Sequence, residues 1–236
     1  MTRDTKKDKQ YFIDFIQYEN QSIEKFQNAV NSVIEARGKD DQGVSRGYNF
    51  LFGLHFSKLN ALYSSGAPLE EIKEFIPEII DITEKVWKSE SGYVEMVWLL
   101  SVGIMLEIPD EQMKRLHDIV KSDGVEDYLL NYLMKKDGSN SALTSPFLHE
   151  VPYKFLQLVI ESNGKAAINL LKQYLSDEWY ERHDDMGWYD SDKSKENIYS
   201  GYWSFESGAI AKMMGLDDSF IKDSPFYPYD LVHYKD

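Results

Sequence analysis

The segment "HDDMGWYDSDKSKE", residues 183–196, gathers most of the side chains in this chain that could do chemistry together. His183, Asp184, Asp185, Asp190, Asp192 and Glu196 offer one imidazole and five carboxylates, a donor set suited to a hard or borderline cation and so to metal-assisted hydrolysis. The spacing does not fit a calcium loop. Starting at Asp190, the position that needs glycine is Lys195 and the closing glutamate is Gly201. None of the five histidines forms an HxH or HExxH pair, and no phosphate-binding glycine loop or G-x-S-x-G elbow occurs. Catalysis therefore has little support, and no metal or cofactor is expected.

The same loop also suits contact with another protein. Trp188 and Tyr189 stand among the acids, and both residue types are common binding hot spots. From Ser176 to Glu206 there are nine acids and three bases. Asp184, Asp185, Trp188, Tyr189, Asp190, Asp192 and Glu196 are thus the candidate partner-binding residues, for a partner that is itself basic. The alternative is an ordinary solvated loop whose aromatics fold back onto the core.

A second anomaly lies just downstream, in "YSGYWSFESGAIAKMMG", residues 199–215. At 100° per residue this stretch reads as a helix with Tyr202, Phe205, Ala209, Ile210, Met213 and Met214 on one apolar arc. Glu206 falls near the middle of that arc. A buried unpaired carboxylate is too costly to be idle. Either Glu206 is buried against Arg46, Lys212 or a tyrosine hydroxyl, or it faces a cleft and reaches a partner.

The elements that must position these groups read as helices nearly throughout. Periodic apolar stripes run from about Asp8 to Arg37 and from about Val44 to Ser64. Further helices follow "SSG": one opening at Pro68 with a kink or restart expected at Pro77, one over "SESGYVEMVWLLSVGIMLEI", and one from Pro109 to Gly124. "VEDYLLNYLMKKDG" and a pair around Gly164 complete the set before the polar loop. Strand signals are sparse. The expected fold is all-α, an antiparallel bundle of about eight to ten helices. The linker-like stretch at 137–146 suggests two helical domains, 1–136 and 137–236, expected to pack as one compact unit.

Composition narrows the function classes. The 236 residues are 42% hydrophobic and 14% aromatic, enough for a packed core. The formal net charge of −14 disfavours direct binding to nucleic acid or to an anionic membrane surface. Cysteine is absent, which excludes disulfides and thiolate metal sites. "MTRDTKKDKQ" leads into no apolar segment, so no secretory signal is expected and a cytoplasmic setting is.

The C-terminal stretch "NIYSGYWSFESGAIAKMMGLDDSFIKDSPFYPYDLVHY" resembles the signature of the PoNi family, immunity proteins that neutralise polymorphic nuclease toxins. The G-Y-W-[SA]-F-E core corresponds to Gly201, Tyr202, Trp203, Ser204, Phe205 and Glu206. The A-x-A-K-x-x-G-[LI]-D-D helix end corresponds to Ala209, Ala211, Lys212, Gly215, Leu216, Asp217 and Asp218. The closing Y-P-Y-D-L-V-H runs from Tyr227 to His233 and includes Tyr229 and Asp230. "LNALYSSGAPLEEIKEFIPEIIDITEKVW" is similar to the paired N-terminal domain. The resemblance implies an all-helical, non-enzymatic protein that binds and blocks a cognate DNase toxin of the PD-(D/E)xK type, delivered between competing bacteria. A metal-dependent hydrolase and a self-associating helical scaffold are the rival readings; self-association itself is left open.

Overall fold

The computed structural model describes residues 1–135 and 144–235. Ten α-helices and no strands occur among the described residues, so the protein is all-α. The predicted boundary at 136/137 and most of the linker-like 137–146 stretch lie outside the described residues. The chain forms two compact units, one of 1–91 with 190–202, the other of 92–189 with 203–236.

The first unit is built on α1 (Lys9–Arg37), α2 (Gln42–Ser64) and α3 (Leu69–Val86). α1 and α2 start where the sequence supplies a cap. Asp8 accepts from the Tyr11 N–H at the head of α1, and Asp41 from the Gly43 N–H at the head of α2. α1 and α2 form a helical hairpin whose distal core is Val30, Val44, Leu51 and Ile82. α3 runs on through Pro77 with no restart. Ile72, Phe75, Ile76, Ile79 and Ile80 bury its apolar face on both sides of the proline, and that burial outweighs the roughly 3 kcal/mol cost of proline in a helix interior. His55 lies in the core, its Nδ1 2.6 Å from the Leu51 carbonyl and its ring stacked on Phe75.

Segment 190–202 returns to this unit and is held by the N-terminal residues. Tyr11 donates to the Tyr199 carbonyl and accepts from the Tyr199 N–H. Asp4 accepts from the Tyr199 hydroxyl at 2.5 Å, and Ser64 donates to the Ser200 carbonyl.

One residue of α1 works against stability. Glu19 is 5% exposed, its Oε2 has no hydrogen-bond partner, and burial pushes its carboxyl up to about 7. Replacing it with an isosteric apolar side chain removes that cost. Glu19→Leu is expected to raise unfolding stability at pH 8 by about 2 kcal/mol, measured by urea titration, and to gain less at pH 4.5, where the wild-type carboxyl stays neutral.

The second unit contains α4 (Ser89–Met105, bent at Gly92, so that its first residues belong to the first unit), α5 (Asp110–Asp123), α6 (Tyr128–Leu133), α7 (Phe155–Ile160), α8 (Gly164–Gln173), α9 (Phe205–Met214) and α10 (Tyr229–Val232). α8 continues into a π turn over Tyr174–Glu178. α9 is shorter than the periodicity predicts. Residues 199–204 are not helical: Gly201 has φ of +123°, and Tyr199 is committed to α1 rather than to a helix ladder. Tyr202 therefore belongs to the first unit and Phe205 opens α9 in the second.

Candidate functional site

The predicted contact loop is divided between the two units, 184–189 in the second and 190–196 in the first. In the first unit, Asp192 is largely buried and internally engaged. It accepts from Lys6 Nζ at 2.8 Å and from the Tyr202 hydroxyl at 2.7 Å, and its own N–H donates to that hydroxyl oxygen. Lys7 Nζ donates to the Asp192 carbonyl. Burial raises the Asp192 carboxyl, but the Lys6 and Tyr202 hydrogen bonds outweigh it and hold the group below the usual range. Asp190 pairs with Lys193 at 2.7 Å from a left-handed backbone position, and Glu196 is exposed.

In the second unit, Asp184 and Asp185 project into solvent while the neighbouring aromatics turn inward. The half-buried Trp188 stacks on Trp179, with centroids 5.5 Å apart, and also meets Trp98 and His183. Tyr189 stacks on Tyr180 at 4.7 Å. Both aromatics are half-buried, so each packs one side inward and keeps part of its surface exposed.

His183 is buried and fully used. Its Nδ1 lies 2.5 Å from the Trp179 carbonyl and its Nε2 3.0 Å from the Tyr153 hydroxyl. With one nitrogen donating to a carbonyl and the other accepting from a hydroxyl, the ring is neutral. Burial lowers its pKa to about 4. No group of three or more His, Asp or Glu among the described residues is placed to hold a metal ion.

Glu206 is fully buried. Its Oε1 accepts from the Tyr174 hydroxyl at 3.0 Å and from the Ser204 hydroxyl at 2.8 Å. Burial raises the carboxyl to about 7 against the pull of those hydroxyls. Of the predicted partners, a tyrosine hydroxyl is the one found. Lys212 instead donates to the Met105 and Val232 carbonyls and pairs with Glu107 at 3.3 Å, while Arg46 is exposed on α2 in the first unit.

From Trp203 onward the rest of the signature is joinery within the second unit. Asp218, missed as a candidate, is a hub: its Oδ2 accepts from Tyr227 at 2.6 Å and its Oδ1 lies 2.9 Å from His233 Nε2. The "LDD" and "YPYDLVH" segments are thereby tied together, with the Tyr229 ring tilted against His233. Trp203 is buried, Phe205 packs edge-on against Trp98, and Asp230 is exposed. The signal for Asp218 was available in the paired acids of the motif, but its partners lie nine and fifteen residues away.

The chain belongs to the family of PoNe immunity proteins, PoNi: the N-terminal family model matches residues 3–118 and the C-terminal model residues 125–231. Among solved structures it is similar to protein PA2201 from Pseudomonas aeruginosa, with 18% identity and a TM-score of 0.70 over 99% of this chain and 90% of that one, a likeness of fold. No curated protein matches the chain in sequence. No described helix is long and apolar enough to cross a membrane.

Proposed function

We propose that this protein captures a cognate nuclease toxin domain and inhibits it stoichiometrically, performing no chemistry of its own. Family membership supports toxin immunity, and the observation that carries the finer reading is the exposed, unstacked Asp184–Asp185 pair on a chain of net charge −14. A DNA-cutting enzyme holds phosphates in a cationic cleft, and carboxylates presented on a braced loop are complementary to it. A DNase finds its substrate in the cytoplasm, so capture belongs there. Electrostatic steering raises association above the roughly 10⁵–10⁶ M⁻¹s⁻¹ of neutral pairs, which suits an inhibitor of a lethal enzyme.

The test co-expresses this chain with the C-terminal domain of the toxin encoded beside it, copurifies the two and titrates DNA cleavage. Cleavage abolished near one equivalent supports the reading, whereas an active domain that neither binds nor loses activity discards it. In the D184K/D185K variant, association at low salt is expected to slow about tenfold with a flatter salt dependence. Its melting temperature should not move, since both side chains are exposed. An unchanged rate and salt slope would place the contact elsewhere.

A further inference from the structure

Charge is unevenly spread along this chain. Residues 9–64, the α1–α2 hairpin, hold six bases and six acids, while the whole chain carries −14. The hairpin is electrically neutral and the acidity lies elsewhere.

On the same hairpin is an apolar groove of about 200 Å³, lined by Phe26, Ala29 and Val33 of α1 and by Gly43, Gly47 and Phe50 of α2. A Cβ on Gly47 would stand 2.3 Å from Val30 Cγ2, so α1 approaches α2 as closely as it does because no side chain is there. Phe50 stacks on Phe26 at 5.1 Å yet is 61% exposed, a large aromatic surface left in water. Arg46, on the groove's rim, is exposed and has no ion-pair or hydrogen-bond partner among the described residues.

We propose that this groove is where two copies of the protein associate, the Phe50 ring of each entering the groove of the other about a two-fold axis. Self-complementarity is what such an interface requires, and a protruding ring beside a groove with room for a ring provides it. Charge selects the occupant. A basic toxin gains nothing electrostatically from a neutral face, whereas two strongly acidic copies repel except where they meet through neutral surface. Arg46 then offers its guanidinium to a carboxylate of the second copy.

The test is sedimentation velocity of the full chain from low to high micromolar concentration, at low and physiological salt. A concentration-dependent dimer is expected for wild type, strengthened by salt as the acidic remainder is screened. Phe50→Glu should weaken it about 100-fold or more, as expected for a central aromatic anchor. Phe220→Glu, which adds the same charge at a ring 62% exposed in the second unit, should leave the dimer intact. If Phe50→Glu fails to fold, Arg46→Glu reports on the same interface. A wild type that stays monomeric throughout, or a dimer indifferent to Phe50→Glu, overturns the proposal. So does a monomeric wild type whose toxin capture is lost in Phe50→Glu, because the groove would then belong to the toxin.

Discussion

Glu206→Ala is expected to lose about 4 kcal/mol of unfolding stability at pH 4.5 but only about 1 kcal/mol at pH 8. At the lower pH the variant strands the Tyr174 and Ser204 hydroxyls in a site with no water access, and leaves a cavity where the carboxyl was. Each unsatisfied buried donor costs about 1–3 kcal/mol. At the higher pH the wild type has already lost stability of its own. The carboxyl titrates at about 7 when folded against 4.5 in the unfolded chain. A raised folded pKa means that the unfolded state ionises first, so the contribution is intact below 4.5 and is lost as pH rises through 7. The shift corresponds to roughly 3 kcal/mol. His183 runs the other way: its folded pKa is lowered to about 4, so its contribution is present above 6.5 and is lost as pH falls toward 4. Wild-type stability alone therefore blends opposing slopes, and the difference between wild type and variant isolates Glu206. Urea titrations of both proteins at the two pH values check this. An equal loss at both would show that the carboxyl is not held neutral. Glu206→Gln keeps an acceptor for the hydroxyls and should remove the slope while retaining most of the stability at low pH.

How much of this was legible in the sequence follows from whether the determining interactions are local. α1 and α2 are written in their stripes and their caps, Asp8 and Asp41, so both their existence and their starts could be read. The end of α5 at Gly124 was equally plain, because the left-handed C-cap is a local demand. Residues 199–204 misled for the converse reason. Their aromatic spacing imitates a helix, but Tyr199 is bound to Tyr11, 188 residues away, and no periodicity encodes that. The same limit applies to the candidate site. That Glu206 needed a partner was readable from its place on an apolar arc, but choosing Tyr174 over Lys212 required the tertiary fold that brings the π turn's Tyr174 to α9. Trp188 and Tyr189 have the composition of a contact surface. That they also stack on Trp179 and Tyr180, beside exposed Asp184 and Asp185, depends on tertiary packing that composition does not encode.

Gly208 sits in the middle of α9, where an ordinary helix former would gain about 1 kcal/mol over glycine. Yet Gly208→Val is expected to lose at least about 3 kcal/mol. A Cβ at this position would lie 2.6 Å from both Met105 Sδ and Pro228 Cγ, and 3.1 Å from Val232 Cγ2. The methionine can swing away, since its thioether chain has freely turning bonds. The proline cannot: its ring precedes α10, and two residues of the adjoining tail, Tyr227 and His233, are fastened to Asp218. Relief therefore has to come from moving α9, which would draw Lys212 off the Met105 and Val232 carbonyls. Gly208→Ala sets the propensity gain against the smaller clash and should lose about 1 kcal/mol net. The graded series Gly, Ala, Val in thermal melts separates the two effects, because propensity alone would make alanine the most stable of the three. An alanine variant more stable than wild type would mean that the tail yields, and that the close approach of α9 to Pro228 is not what glycine is needed for.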